Sequence, residues 1–513
     1  MLKAAEGSSL ETLKSHAKVS TGVSVLDELT YGGLPEGEIY VINGVPGTGK
    51  TILAMHFLAA GVKQGETVLC LTLSQREKSV KRTAASVGID VAGINFRDLS
   101  SVKDLQMLTQ QQTIFDNSEI ELEDTMVAFT QAIDELQPSR VVFDGMSYLQ
   151  MLADEPMIYR QQLFALRDYL TNKGITAVLT STTSVHNNDH ELVAISHGAI
   201  TLTIQTTSQG IDWRSLHITK IRGSNYRSGR HDIEISSSGL QIYPAHGGIS
   251  AIASTTHSTL KEPASDLISS NLEALDKLLG GGLQAATSCL IVGPSGTGKS
   301  SLCALFAHSY AQRGKKVSAF LFDERIEIFL QRANHLNVGL DEFIKEDRVR
   351  CYEMTFGEAT PSKFVDKAIK EVEEWGAGIV IIDTLTGYFN AMHDQRRLIS
   401  LVHDLVVALN RRGVLTLITV SRSGSSARTT STDDISYLSD TILLLHHFEA
   451  QSAIRQAISV YKKRYGSYER GIREICLKAG GIKVGPPLDR FTGILTDNPQ
   501  YAGDSRALLP LND

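Results

Sequence analysis

The sequence predicts an α/β fold: two tandem P-loop domains, each a mainly parallel twisted sheet flanked by helices. Three observations predict it. First, GVPGTGKT (Gly44–Thr51) and GPSGTGKS (Gly293–Ser300) both fit the phosphate-binding pattern G-x-x-x-x-G-K-[ST]. Second, the frames before the two loops match. TGVSVLDELTYGGLPEGEIYVINGVPGTGKT (Thr21–Thr51) aligns with SNLEALDKLLGGGLQAATSCLIVGPSGTGKS (Ser270–Ser300) without a gap, at a constant offset of 249 residues. A repeat of that length is a duplicated domain, not a solenoid. Third, each loop is followed by an apolar run that ends in aspartate, RVVFD at Asp144 and GIVIID at Asp383. In a parallel sheet such a strand lies beside the loop strand and carries its carboxylate to the same end.

The chain has 513 residues and suits more than one core. Residues 1–18 read as a polar leader with no apolar stretch after its charges, which is not a secretory signal. Residues 19–245 are the first domain. It runs helix, Gly-rich turn, strand IYVING, phosphate loop and helix, then strands ETVLCLTL, RVVFD, ITAVLTST and AITLTIQ, closed by SLHITKIRGS. Residues 246–268, rich in Gly, Ser, Thr and Ala without a period, read as a linker. Residues 269–485 repeat the plan with CLIVG, KKVSAFLF, GIVIID, GVLTLITVSR, DTILLLHHF and AISVYKKRYGS. Residues 486–513 are a Gly/Pro-rich tail expected to wrap a surface or interface.

The net charge of −7 gives no global case for nucleic acid, and no apolar run reaches membrane-spanning length. Five cysteines (Cys70, Cys289, Cys303, Cys351 and Cys476) lack metal or C-x-x-C spacing. They read as reduced, buried thiols in a cytoplasm.

The loops carry the chemistry. Gly47 and Gly49, like Gly296 and Gly298, allow torsions closed to other residues, so that N–H groups beside Thr48 and Thr297 turn toward one anion. Lys50 and Lys299 reach the outer phosphates. The hydroxyls of Thr51 and Ser300, with the carboxylates of Asp144 and Asp383, suit the water shell of Mg²⁺. ATP and Mg²⁺ are the expected cofactors.

The doubled frame, the two loops, the Asp-ending strands and the late KIRGS and KKRYGSYERGIRE segments together resemble the KaiC family over roughly residues 20–485. The resemblance implies two RecA-like P-loop NTPase domains in a homo-oligomer, a hexameric ring with ATP between neighbouring subunits. It implies ATP hydrolysis and, in several members, autophosphorylation in the second lobe. It admits regulatory or sensor-kinase proteins as partners. A pair of acidic residues after the loop helix's strand activates water in the family. Here SAFLFDERIE gives Asp323 and Glu324, which with Lys299 form the expected catalytic set, whereas LCLTLSQREK gives Ser74 and Gln75. The first lobe is therefore expected to turn over slowly, with Glu77 as its nearest spare carboxylate. Lys220 and Arg222, and their counterparts Lys462 and Arg464, are implied to face a neighbour's γ-phosphate. Ser436 falls on the family's first phosphoacceptor position, with Ser431 and Thr432 as weaker candidates, and Tyr437 replaces the second acceptor. Two other readings stand beside this one: an ATP-switched scaffold with little turnover, and a DNA-dependent recombinase or helicase relative.

Overall fold

The computed structural model describes residues 17–99, 117–153, 156–183, 190–206, 210, 212–245, 266–354, 360–390, 395–421, 437–494 and 500–501. The chain divides into two compact units at Gly247/Gly248, and each carries its own sheet and core.

In the first lobe the sheet strands are β1 (Ile39–Gly44), β2 (Val68–Thr72), β3 (Asn95–Asp98), β4 (Arg140–Asp144), β5 (Thr176–Thr182), β6 (Gly198–Thr206), β7 (Asp212–Ile221), β8 (Arg230–Ser236) and β9 (Gly239–Tyr243). Among the described residues they form one nine-stranded sheet in the order β9-β8-β7-β6-β1-β5-β4-β2-β3. From β3 to β6 the neighbours are parallel; β7, β8 and β9 add an antiparallel extension. The central strands β1, β2 and β4 are buried along their whole length. Parallel strands covered on both faces need continuous apolar runs, which is why IYVING and VLCLT show no alternation. Their side chains still divide by pleat. Ile39 and Val41 join one core with Phe129 and Leu163, and Tyr40 and Ile42 join another with Leu53 and Phe57.

The helices are α1 (Ser24–Leu29), α2 (Lys50–Lys63), α3 (Glu77–Ser86), α4 (Asn117–Leu136), α5 (Ser147–Leu152), α6 (Pro156–Asn172) and α7 (His190–Ile195). The loop helix α2 buries most of its circumference, as a helix centred over a sheet must.

The second lobe repeats this order with β10 (Ser288–Gly293), β11 (Val317–Leu321), β12 (Val349–Glu353), β13 (Ile379–Asp383), β14 (Leu415–Ser421), β15 (Thr441–Ala450), β16 (Ala453–Lys463), β17 (Arg473–Lys478) and β18 (Gly481–Pro487). The sheet order is β12-β11-β13-β14-β10-β15-β16-β17-β18. Its helices are α8 (Glu273–Leu278), α9 (Lys299–Gln312), α10 (Ile326–His335), α11 (Asp341–Lys345), α12 (Pro361–Glu373), α13 (Leu385–Asn390) and α14 (Gln395–Arg411).

The matched frame folds alike in both copies. Asp27 accepts from Ser20 Oγ (2.6 Å), Thr21 N–H (2.8 Å) and Thr21 Oγ1 (2.7 Å). Asp276 accepts from Ser269 Oγ and from the N–H and Oγ of Ser270. Lys18–Val19, at the end of the expected leader, pairs with Leu34–Pro35, and Leu267–Ile268, at the end of the expected linker, pairs with Leu283–Gln284. Leu488 and Ile494 of the expected tail pack with Phe448, Ala450 and Ala457 of their own lobe.

A buried arginine sets the first lobe apart at the start of its aspartate strand. Arg140, fully buried at the start of β4, bonds Glu66, Gln64 Oε1 (2.7 Å) and the carbonyls of Ser20 (2.7 Å) and Phe57 (3.2 Å). At the same register β13 begins with Ile379. No helix among the described residues is long and apolar enough to cross a membrane.

Candidate functional site

The two phosphate loops leave the carboxyl ends of β1 and β10 and enter α2 and α9. All four expected loop glycines adopt left-handed backbone: φ is 82° at Gly47, 102° at Gly49, 80° at Gly296 and 96° at Gly298. Space enforces the choice as well. A Cβ on Gly49 would lie 2.7 Å from Ile235 Cδ1 of β8, and one on Gly298 would lie 2.3 Å from Leu477 Cδ1 of β17. The antiparallel extension therefore supports the back of each loop. Buried Thr48 and Thr297 brace the loops from inside, donating to the carbonyls of Val45 (2.9 Å) and Pro294 (2.8 Å). Lys50 Nζ donates to the carbonyls of Gly44 (2.7 Å) and Val45 (3.0 Å), and Lys299 Nζ to those of Gly293 (2.9 Å) and Pro294 (2.8 Å). Burial lowers the pKa of both lysines; Asp144 and Asp383 act in the opposite direction. Each loop thus gathers a cation, a helix start and turned N–H groups, an arrangement built for phosphate.

The expected hydroxyl–carboxylate pairs also meet. Thr51 Oγ1 donates to Asp144 (3.1 Å), and the Ser300 hydroxyl donates to Asp383. Each carboxylate has a second donor that sequence reasoning missed: Thr180 Oγ1 (2.7 Å) for Asp144 and Thr419 Oγ1 for Asp383. Both threonines follow their aspartate by 36 residues, a repeated spacing that could have revealed them. Burial raises the pKa of Asp144 and of Asp383, and the hydroxyl bonds pull it back. Near Asp383, Arg332 also lowers it and Glu324 raises it. A buried carboxylate with a hydroxyl at a helix start is the donor set that suits Mg²⁺, a hard ion that takes one or two carboxylates and fills its shell with waters and phosphate oxygens. Among the described residues no group of three or more His, Cys, Asp or Glu could hold a metal by itself.

The position expected to activate water is where the lobes part. Thr72 pairs with Asp144 and Leu321 with Asp383, so Ser74 and Gln75 stand at the register of Asp323 and Glu324. Asp323 accepts from Thr384 Oγ1 and lies against Gly387, where a Cβ would come within 2.1 Å of its Oδ1. Glu324 is held by both ends of the Arg332 guanidinium, at 2.6 Å and 2.7 Å. Glu77 opens α3 and pairs with Lys81 at 2.5 Å on the helix surface. It occupies the register of Ile326, not that of the missing carboxylates.

The four late cations bond within their own lobes. Lys220 Nζ donates to Ser196 O (2.7 Å) and Arg222 Nη2 to Ala194 O (2.9 Å). Lys462 Nζ donates to Ser439 O (2.9 Å), and Arg464 Nη1 lies 3.3 Å from Asp440 Oδ1. The register fixes their height on the sheet. Lys220 pairs with Ala199 beside Val41, and Lys462 with Ile442 beside Leu290. Val41 and Leu290 stand three residues before Gly44 and Gly293, roughly 10 Å below the loops at a strand rise of about 3.3 Å per residue. Other side chains do meet the loops: Arg214 Nε donates to Gly47 O (3.2 Å), Gln456 Nε2 to Gly296 O (3.4 Å), and His447 Nε2 lies 3.2 Å from Ser295 O. Ser436, Ser431 and Thr432 lie outside the described residues; Tyr437, the substituted acceptor, is half-exposed with its ring 5.7 Å from that of His403.

Comparison with known proteins agrees with this geometry. A family model described as "ATPase: KaiC" matches residues 19–247 and again residues 268–489. The circadian clock oscillator protein KaiC of Parathermosynechococcus lividus is 25% identical over 501 residues, covering 96% of this chain and 89% of the relative. The circadian clock protein KaiC3 of Synechocystis sp. is 25% identical over 499 residues, covering 95% of each. The circadian clock protein KaiC2 of the same organism is 24% identical over 481 residues, covering 91% of this chain and 81% of the relative. With two phosphate loops on two repeated α/β sheets, the chain belongs to the KaiC family of ATPases and carries the family's ATPase unit twice.

Proposed function

We propose that this protein binds ATP in both lobes of a homo-oligomeric ring and hydrolyses it mainly in the second. The observation that carries the reading is the contrast at one register position: Asp323 and Glu324 in the second lobe, Ser74 and Gln75 in the first. Hydrolysis needs a group that orients the attacking water and takes its proton. A carboxylate does both; serine and glutamine at best orient.

In the second lobe the loop N–H groups and Lys299 hold the outer phosphates. Ser300 and Asp383 would hold Mg²⁺, which when bound would neutralise charge on the phosphate oxygens. Glu324, supported by Asp323, takes a proton from water as its oxygen bonds to the γ-phosphorus. The bond from that phosphorus to the bridging oxygen breaks, and ADP and inorganic phosphate result. In the first lobe Lys50, Thr51 and Asp144 do the same binding without the base, so its ATP serves chiefly to hold the assembly. Lys220, Arg222, Lys462 and Arg464 stand too low on the sheet to serve their own loops. That supports a role toward the ATP of a neighbouring subunit, where cations would stabilise charge developing in transfer. The same γ-phosphate passes to the Ser436 hydroxyl when that serine replaces water, making the protein an autokinase.

The test is ATP turnover with phosphosite mapping on wild type, Lys50→Ala and Lys299→Ala. The reading expects Lys299→Ala to abolish turnover and label, and Lys50→Ala to disrupt the ring. Loss of most hydrolysis in Lys50→Ala while its ring stays assembled would overturn the division of labour. Absence of both turnover and label in wild type would favour a nucleotide-switched scaffold.

A further inference from the structure

The carboxylate missing from the first lobe is missing together with its partner. Helices α3 and α10 are equally long and start at the same register, so Thr83 stands where α10 has Arg332. The second lobe has Glu324 with Arg332; the first has Gln75 with Thr83. A lobe that keeps the acid keeps the fork, and a lobe that lacks one lacks both.

The geometry of the pair is specific. Glu324 precedes α10, and Arg332 lies two turns into it. Helical side chains lean toward the helix start, which aims Arg332 back at the strand end. Its guanidinium engages both carboxylate oxygens, at 2.6 Å and 2.7 Å. Its carbon lies 5.7 Å from the ring of buried Phe329, which gives the stem an apolar rest. The Glu324 side chain keeps 20% of its surface exposed and the Arg332 side chain 35%. A partly exposed pair adds little to stability, so the fold alone has small need of it. What a two-point fork does supply is a fixed carboxylate plane. Each carboxylate oxygen retains a further acceptor direction when the fork is bound, so the clamp leaves room for a water. Both charges also act on Asp383, the carboxylate expected to face the metal.

We propose that Arg332 is a positioning residue for hydrolysis: it holds Glu324 at the angle from which one oxygen meets the attacking water. The proposal rests on the reading of Glu324 as the proton acceptor. It predicts a defect in turnover rather than in nucleotide binding, and one that depends on Glu324 being present.

The test is a double-mutant cycle on the full chain with ATP and Mg²⁺, using Glu324→Gln, Arg332→Gln and the double variant, with kcat, KM, nucleotide affinity and thermal midpoint measured for each. Loss of the base is expected to lower kcat by about 100-fold or more. Loss of the fork is expected to lower it roughly 10- to 100-fold with KM and affinity unchanged, the size of a small misplacement of a catalytic group. The double variant is expected to match Glu324→Gln alone. Losses that multiply in the double variant would overturn the proposal, as would an Arg332→Gln that shifts KM or the thermal midpoint and leaves kcat intact. If Glu324→Gln keeps wild-type kcat, the assignment of the proton acceptor is what fails, and this proposal falls with it. Arg332→Lys guards against misfolding: lysine keeps charge and stem but not the fork. It is expected to keep the wild-type midpoint while kcat stays low; full recovery of kcat would refute two-point positioning.

Discussion

Replacing Gly298 with alanine tests how the second phosphate loop is held. Two costs can be worked from the structure. The residue sits at φ 96°, and left-handed backbone costs a non-glycine residue about 1–2 kcal/mol. The new Cβ would also fall 2.3 Å from Leu477 Cδ1, and relief of such overpacking costs about 1–3 kcal/mol. The sum is about 2–5 kcal/mol, which in a lobe of this size lowers the midpoint by roughly 5–15 °C. Since the loop and β17 must part to admit the methyl group, nucleotide binding at that loop should weaken as well. The assay is a thermal melt with a fluorescent-nucleotide titration on Gly298→Ala and on Gly298→Ala with Leu477→Ala. The double variant removes the clash but not the torsion, so it should bind nucleotide better than the single variant. A Gly298→Ala protein with unchanged melting and unchanged binding would refute the argument that the extension strand fixes the loop.

Three further outcomes follow from the same geometry. Arg140→Met should cost the first lobe about 3–5 kcal/mol, because Glu66 and two carbonyls lose a buried partner, while the second lobe's melting stays put; a loss under about 1 kcal/mol would show that the cluster contributes little. Burial pushes the Cys351 thiol up to about 12, so at pH 8 only about one in 10⁴ is thiolate, and alkylation should run roughly 10³-fold slower than for a free thiol and speed up tenfold per pH unit; complete labelling within minutes at pH 8 would contradict it. Mixing Lys299→Ala subunits with subunits carrying Lys462→Ala and Arg464→Ala should restore turnover that each preparation lacks alone, if the cations act on a neighbour's nucleotide; failure to complement would return those cations to a structural role at their own strand edge.

The fold was largely legible because its signals are local. A phosphate loop requires glycines at fixed spacing, and a strand buried on both faces requires an unbroken apolar run; both survive as strings. The Asp144 and Asp383 strands were legible for the same reason. The partners of these residues were not. Thr180, Thr419 and Arg332 act across strands or along a helix, and nothing in their immediate neighbours sets them apart from ordinary surface or core residues; Thr384 adjoins Asp383, but its bond to Asp323 crosses between strand ends. Ile235 and Leu477, which close off the loop glycines, belong to antiparallel strands far along the chain. Duplication offered a way to part of this. Comparing the lobes exposes the threonine spacing, and it exposes the joint replacement of Glu324 and Arg332 by Gln75 and Thr83.

The most direct test of the central claim is the identity of the nucleotide each lobe retains. The chain would be incubated with ATP and Mg²⁺, stripped of free nucleotide, and the bound ATP and ADP quantified, in wild type and in the Lys50→Ala and Lys299→Ala variants that each empty one loop. A second lobe with carboxylates and a first lobe without them predict ATP left on the first lobe and ADP on the second. ADP on both lobes would contradict the account, since Ser74 and Gln75 would then be no obstacle to hydrolysis.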